Sequence, residues 1–184
     1  MKSKNEGLNP STLRKVLRKA KRTMICQQHS TVLICCGPVL VQVSPDFYRA
    51  HLADLYPVTL HEGAGYDLKP GEAPACITPD TLQSIADKNL HAAADPAHDT
   101  GKRLTVLNGE MQVWATDTGR FALLPAEQLK IMTGKGWKAS LHGPVNPVCF
   151  YNMEQGTALH VCPVRVNNET FKQLYEQYGG CNNG

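Results

Sequence analysis

The stretch Thr31-Val32-Leu33-Ile34-Cys35-Cys36-Gly37-Pro38-Val39-Leu40-Val41-Gln42-Val43-Ser44-Pro45-Asp46 holds the pattern on which the fold is read. Two short β-branched runs, Thr31–Cys36 and Val39–Val43, flank Gly37-Pro38, a dipeptide that breaks extended chain and turns it. Ser44-Pro45-Asp46 then opens a helix, because Ser caps free N–H groups and proline fits the first helical turn. Strand, turn, strand, proline and helix therefore follow one another, with the helix expected over 46–55. A further strand, Thr23–Gln27, precedes the pair.

The same order returns between Glu110 and Met132. Leu104–Leu107 and Met111–Thr116 are strand candidates joined through Asn108-Gly109, a strong two-residue hairpin signal. Arg120–Leu124 is a third strand, and Pro125-Ala126-Glu127 opens a helix over 125–132. Trp137–Leu141, Val148–Tyr151 and Ala158–Val161 are further strands, and helices are expected at 11–22, 79–89 and 168–178. Residues 57–77 and His91–Gly101, rich in Gly, Pro, Ala, Asp and His, read as exposed connections. The fold class expected is α+β, with antiparallel sheets and helices. Residues 1–184 form a single compact domain on this reading. Two repeated units, 1–60 and 78–166 with a linker at 61–77, stand beside an unrepeated alternation of hairpins and helices.

Length and composition agree with a folded chain. Its 184 residues are 42% hydrophobic and 19% charged, which excludes a disordered segment. No apolar run reaches the roughly 18 residues of a membrane span, and the polar start Met1-Lys2-Ser3-Lys4 gives no signal peptide, so a cytoplasmic location is expected. Seven cysteines, an odd number with no C-x-x-C pair, read as free thiols packed as small hydrophobes.

Charge carries the first functional content. Residues 1–22 hold a net charge of +7, and the remaining 162 residues hold −4. Leu13, Val16, Leu17 and Ala20 fall on one helical face behind Pro10-Ser11-Thr12. Arg14, Lys15, Arg18, Lys19, Lys21 and Arg22 fall largely on the others. Such a row suits phosphate contacts that do not read bases, and it also suits an RNA, an acidic protein or plain solvent.

Two segments resemble bacterial DNA polymerase sliding clamps. Val113-Trp114-Ala115-Thr116-Asp117-Thr118-Gly119-Arg120-Phe121-Ala122 is similar to the clamp pattern A-T-D-x-x-R-[LF]-A. Asn146-Pro147-Val148-Cys149-Phe150, followed by His160-Val161-Cys162-Pro163-Val164-Arg165-Val166, resembles the N-P-V-L-I and M-P-M-R-L pieces that end those clamps. The resemblance covers about 50 residues with conviction. It implies repeated β-α-β-β-β units with sheets outside and basic helices facing double-stranded DNA. It also implies a short-peptide pocket at Pro163, Val164 and Arg165, and a homo-oligomer. The chain departs from the pattern in its length and in a helical segment beyond Val166.

Catalytic and metal signatures are sparse. Thr133-Gly134-Lys135-Gly136 lacks the leading glycine and final Ser/Thr of a phosphate loop, and reads as a helix end at Gly134. His91, Asp95, His98 and Asp99 form the one metal-like cluster, without helical or finger spacing, so a polar loop is the competing reading. No G-x-S-x-G elbow occurs. The expectation is a non-enzymatic DNA-associated or partner-binding factor without a cofactor. The alternatives are an interaction protein of a phage or mobile element with a protein or RNA partner, and an enzyme whose site one sequence does not reveal.

Overall fold

The computed structural model describes residues 7–91, 95–106 and 109–178. The first helix is α1, Pro10–Lys19, followed by strands β1 Thr23–Gln28, β2 Thr31–Cys36 and β3 Val39–Val43. Helix α2, Pro45–His51, leads through a 3-10 turn at Ala53–Leu55 to β4 Gly65–Leu68 and β5 Ala75–Cys76. Helix α3, Asp80–His91, precedes the meander β6 Asp95–Val106, β7 Gly109–Thr116 and β8 Phe121–Pro125. A short α4, Ala126–Leu129, and a second meander, β9 Lys138–Leu141, β10 Val148–Asn152 and β11 Thr157–Val161, lead to α5, Asn168–Tyr178.

All eleven strands join one antiparallel sheet in the order β5-β4-β1-β2-β3-β11-β10-β9-β6-β7-β8. Its centre, β1-β2-β3-β11-β10-β9, reads as helix-plus-three-strand units meeting last strand to last strand. One unit is α1 with β1–β3, and the other is α4 with β9–β11. The α+β class and the antiparallel pairing hold. The strand, strand, helix order expected over 31–55 and 110–132 is present as β2, β3, α2 and as β7, β8, α4, and a longer helix-plus-three-strand order also runs over 10–43 and 126–161.

Two stretches read as connections are strands. Residues 57–77 contribute β4 and β5, with Ile25 facing Tyr66 across the β1–β4 pair. The His91–Gly101 stretch gives most of its length to β6, which pairs with both β7 and β9. Sequence hides this because alternation between exposed and half-buried positions along β6 leaves few apolar residues to signal a strand. Val106 faces Gly109, so two residues join β6 to β7, and these lie outside the described residues.

Helix lengths differ from expectation where neighbours compete for the backbone. α1 ends at Lys19 because Ala20 is extended and leads into β1, so Lys21 and Arg22 lie beyond it. α2 stops at His51. α4 has one turn, since Ile131 and Thr133 bond the chain before α1: Asn9 N–H donates to Ile131 O (2.7 Å) and Thr133 N–H to Gly7 O (2.6 Å). Gly134 (φ +74°) therefore belongs to a turn four residues past Lys130, not to the helix end.

Helices cover both sheet faces. α1, α2 and α4 pack on the face that carries Ile25, Ile34, Val41, Phe150 and Leu159. On the other face, Leu82 and Ala86 of α3 cover Cys26, Leu33 and Leu40, while Leu174 of α5 covers Met111, Val113, Phe121 and Leu123. The clamp resemblance implies helices on one face only, and α3 and α5 are the difference.

Gly65 marks the tightest strand contact. A Cβ there would lie 2.7 Å from the Ile77 carbonyl oxygen, itself backbone and unable to move alone. Gly65→Ala is expected to cost about 1–3 kcal/mol, the usual range for overpacking, read from urea unfolding. An unchanged midpoint would mean that the β4–β5 hairpin yields freely.

Candidate nucleic-acid interface

Helix α1 is built to hold cations outward. Asn9 caps it, its side-chain oxygen accepting from Thr12 N–H at 3.1 Å, and Pro10 occupies the first turn. Leu13 and Leu17 are buried in the core, which turns Lys15, Arg18 and Lys19 to solvent. Arg18 and Lys19 fall in the last turn, where cations complement the helix dipole.

The six basic residues picked out from the sequence divide into two groups. Arg14 is a tie within the fold: its Nη2 donates to Asp54 Oδ2 at 2.7 Å and its Nη1 to the His51 carbonyl at 2.6 Å. The guanidinium holds the Asp54 carboxyl below its ordinary range through that hydrogen bond. Arg22 is likewise bidentate on Asp67, at 2.8 and 2.9 Å, and lowers that carboxyl in the same way. Lys15, Arg18, Lys19 and Lys21 are exposed, and none has a carboxylate within ion-pair distance among the described residues, but Arg18 lines a separate hollow with Leu55 and Pro70.

These lysines share a groove of about 660 Å³ between α1, the Gly37-Pro38 turn and α4. Lys15, Lys19, Lys21 and Arg22 line one side, and Lys130, just past α4, lines the other with the single acid Glu127. Lys130 was missed from the sequence. It follows an unremarkable proline-led helix, and only the backbone bonds between residues 7–9 and 131–133 bring that helix beside α1.

Pro163, Val164 and Arg165 lie on the opposite sheet face. Val164 N–H donates to Leu123 O at 2.8 Å, and Val164 and Val166 pack against the cluster covered by Leu174. Arg165 is exposed beside a 340 Å³ groove that Phe121, Val145 and Phe171 also line. The segment thus closes a core.

The metal-like cluster does not assemble among the described residues. Asp99 is bidentate on Arg103 at 2.8 and 2.9 Å and accepts from Gly101 N–H at 2.9 Å. Asp95 accepts from Thr118 and lies 3.5 Å from Arg120. His98 is exposed, 3.8 Å from Asp117, and the side chain of His91 is outside what is described. No group of three metal-ligating side chains occurs among the described residues.

Cys149 and His160 are the buried pair with chemical potential, Sγ to Nε2 at 3.9 Å. Burial pushes the thiol up to about 12 and the imidazole down to about 4. Both are neutral near pH 7, which is the opposite of an activated thiolate–imidazolium pair.

No protein-family model and no curated protein sequence matches the chain. Solved structures that resemble it include the following two. One, described as the C-terminal region of FEN-1 bound to A. fulgidus PCNA, is 11% identical over 89% of this chain and 97% of that one, with a TM-score of 0.36. The other, a DNA polymerase III subunit beta DnaN sliding clamp from Bartonella birtlesii, is 10% identical over 92% of this chain, with a TM-score of 0.35. The likeness is weak. The chain spans 65% of the length of that bacterial clamp. No helix among the described residues is long and apolar enough to cross a membrane.

Proposed function

We propose that this protein is a non-enzymatic factor that holds DNA by its phosphate backbone in the groove between α1 and α4. The observation that carries the reading is the convergence of Lys15, Lys19, Lys21 and Lys130, from two distant parts of the chain, without carboxylate partners among the described residues. Lysine ammonium groups on flexible stems make phosphate contacts without base geometry, so binding is independent of sequence. Arg14 and Arg22, already committed to Asp54 and Asp67, contribute little to it.

Anisotropy titrations of labelled DNA across a salt series test this. Four phosphate contacts give a log–log slope of about −3.6 on duplex and about −2.8 on single strands. Replacing Lys15, Lys19, Lys21 and Lys130 together by Gln is expected to abolish binding at about 50 mM salt, the range where such contacts are strong. Arg14→Gln is expected to leave the slope unchanged. Binding that survives the four substitutions, or that does not fall with salt, would remove the groove from consideration.

A further inference from the structure

Because α4 is a single turn, the sheet beyond it carries no helix among the described residues, and an aromatic cleft opens across β6, β7, β9 and β10. Its two connected hollows, about 640 and 380 Å³, share Trp114, Met132 and Trp137, and lie within the range of small-ligand sites. Trp114 and Trp137 are the two tryptophans of the chain, and Phe150 completes the aromatic lining. Trp114 stands edge-on to Phe150 at 4.8 Å, and its indole N–H is buried without a hydrogen-bond partner among the described residues. A buried, unpaired donor costs free energy unless something accepts from it.

Charge shows what would fit. Lys130 lines both this cleft and the basic groove, and Lys138 lies at the cleft's other end. Of the acids nearby, Asp99 is held by Arg103, and Glu110 lies 3.9 Å from the same guanidinium. A flat aromatic surface opening beside a row of free lysines matches an unpaired base followed by its phosphates.

We propose that the cleft takes unpaired nucleobases, so that the nucleic acid bound is single-stranded: phosphates along Lys15, Lys19 and Lys130, one or two bases against Trp114 and Trp137. This rests on the phosphate-groove reading above and adds the form of nucleic acid to it. Base stacking on aromatic side chains tolerates any sequence, which keeps recognition general.

Both tryptophans report on the same cleft, so intrinsic emission reads occupancy directly. The full chain is titrated at about 50 mM salt, where phosphate contacts are strong, with oligothymidylate, a blunt duplex of equal length, and inorganic polyphosphate. The expected result is saturable quenching by oligothymidylate, at least tenfold weaker binding of duplex, and polyphosphate binding without quenching. Trp137→Ala should weaken oligothymidylate binding about 5- to 100-fold and leave polyphosphate binding unchanged. A folded Trp137→Phe should bind near the wild-type level. If oligothymidylate binds without quenching, or duplex binds equally well, the base cleft is overturned while the phosphate groove stands. If none of the three polyanions binds, the groove itself has failed.

Discussion

Between pH 7 and pH 4 the protein is expected to lose about 3 kcal/mol of stability through His160 alone. The imidazole is 2% exposed, between strands, and burial lowers it to about 4 from an ordinary 6.5. The unfolded chain therefore binds a proton near pH 6.5 that the folded chain refuses until about pH 4. Stability is full above 6.5 and falls through that window. Asp54, Asp67 and Asp99, whose carboxyls stand below their ordinary 3.8, cost stability from about pH 5 downward, where unfolded carboxyls begin to take protons, so the part of the histidine window above pH 5 is clear of them. Urea midpoints of wild type and His160→Leu at several pH values check this. The leucine variant should be flat from pH 6.5 to about 5, and a variant that tracks the wild type there would show that another group titrates.

Removing α5 by truncation after Asn167 is expected to have the larger effect. Leu174 is 3% exposed and sits on Met111, Val113, Phe121 and Leu123, and the Phe171 ring lies 5.4 Å from Phe121. Leu174→Ala alone should cost about 2–5 kcal/mol, the range for a buried leucine. That corresponds to a fall in Tm of roughly 4–20 °C for a chain of this size. The truncation should exceed it, because an entire apolar face of β7 and β8 meets water. Thermal unfolding of both variants checks the order. If instead the truncated chain keeps its Tm and gains affinity for an apolar peptide, Val164 and its neighbours form a binding groove that α5 merely shades.

Antiparallel strands and most helix positions are legible in the sequence because local signals and tertiary structure agree there. The Thr31–Cys36 and Val39–Val43 strands match their β-branched runs, and α5 matches its amphipathic spacing. The misses share one cause. β6 and α4 are decided by partners far away in the chain: β6 lies between β7 and β9, and α4 is cut short by the segment preceding α1. The same holds for the site. Charge density pointed to α1, but only side-chain contacts separate the committed Arg14 and Arg22 from the free Lys15, Lys19 and Lys21. Lys130 and the tryptophans join them through packing that no local window contains.

Val39–Val43 and Thr157–Val161 meet at the centre of the sheet although about 120 residues separate them. The meanders on either side form from neighbours in sequence, whereas this seam waits for the two ends of the chain to find each other. The entropy of closing so long a loop grows only with the logarithm of its length, so the seam burdens equilibrium stability lightly and folding speed heavily. Until it closes, two apolar strand edges stand open in the nascent protein, each a template for another chain. Yield from cells should thus depend on how dilute and how cool the newly made chains are kept while one seam zips.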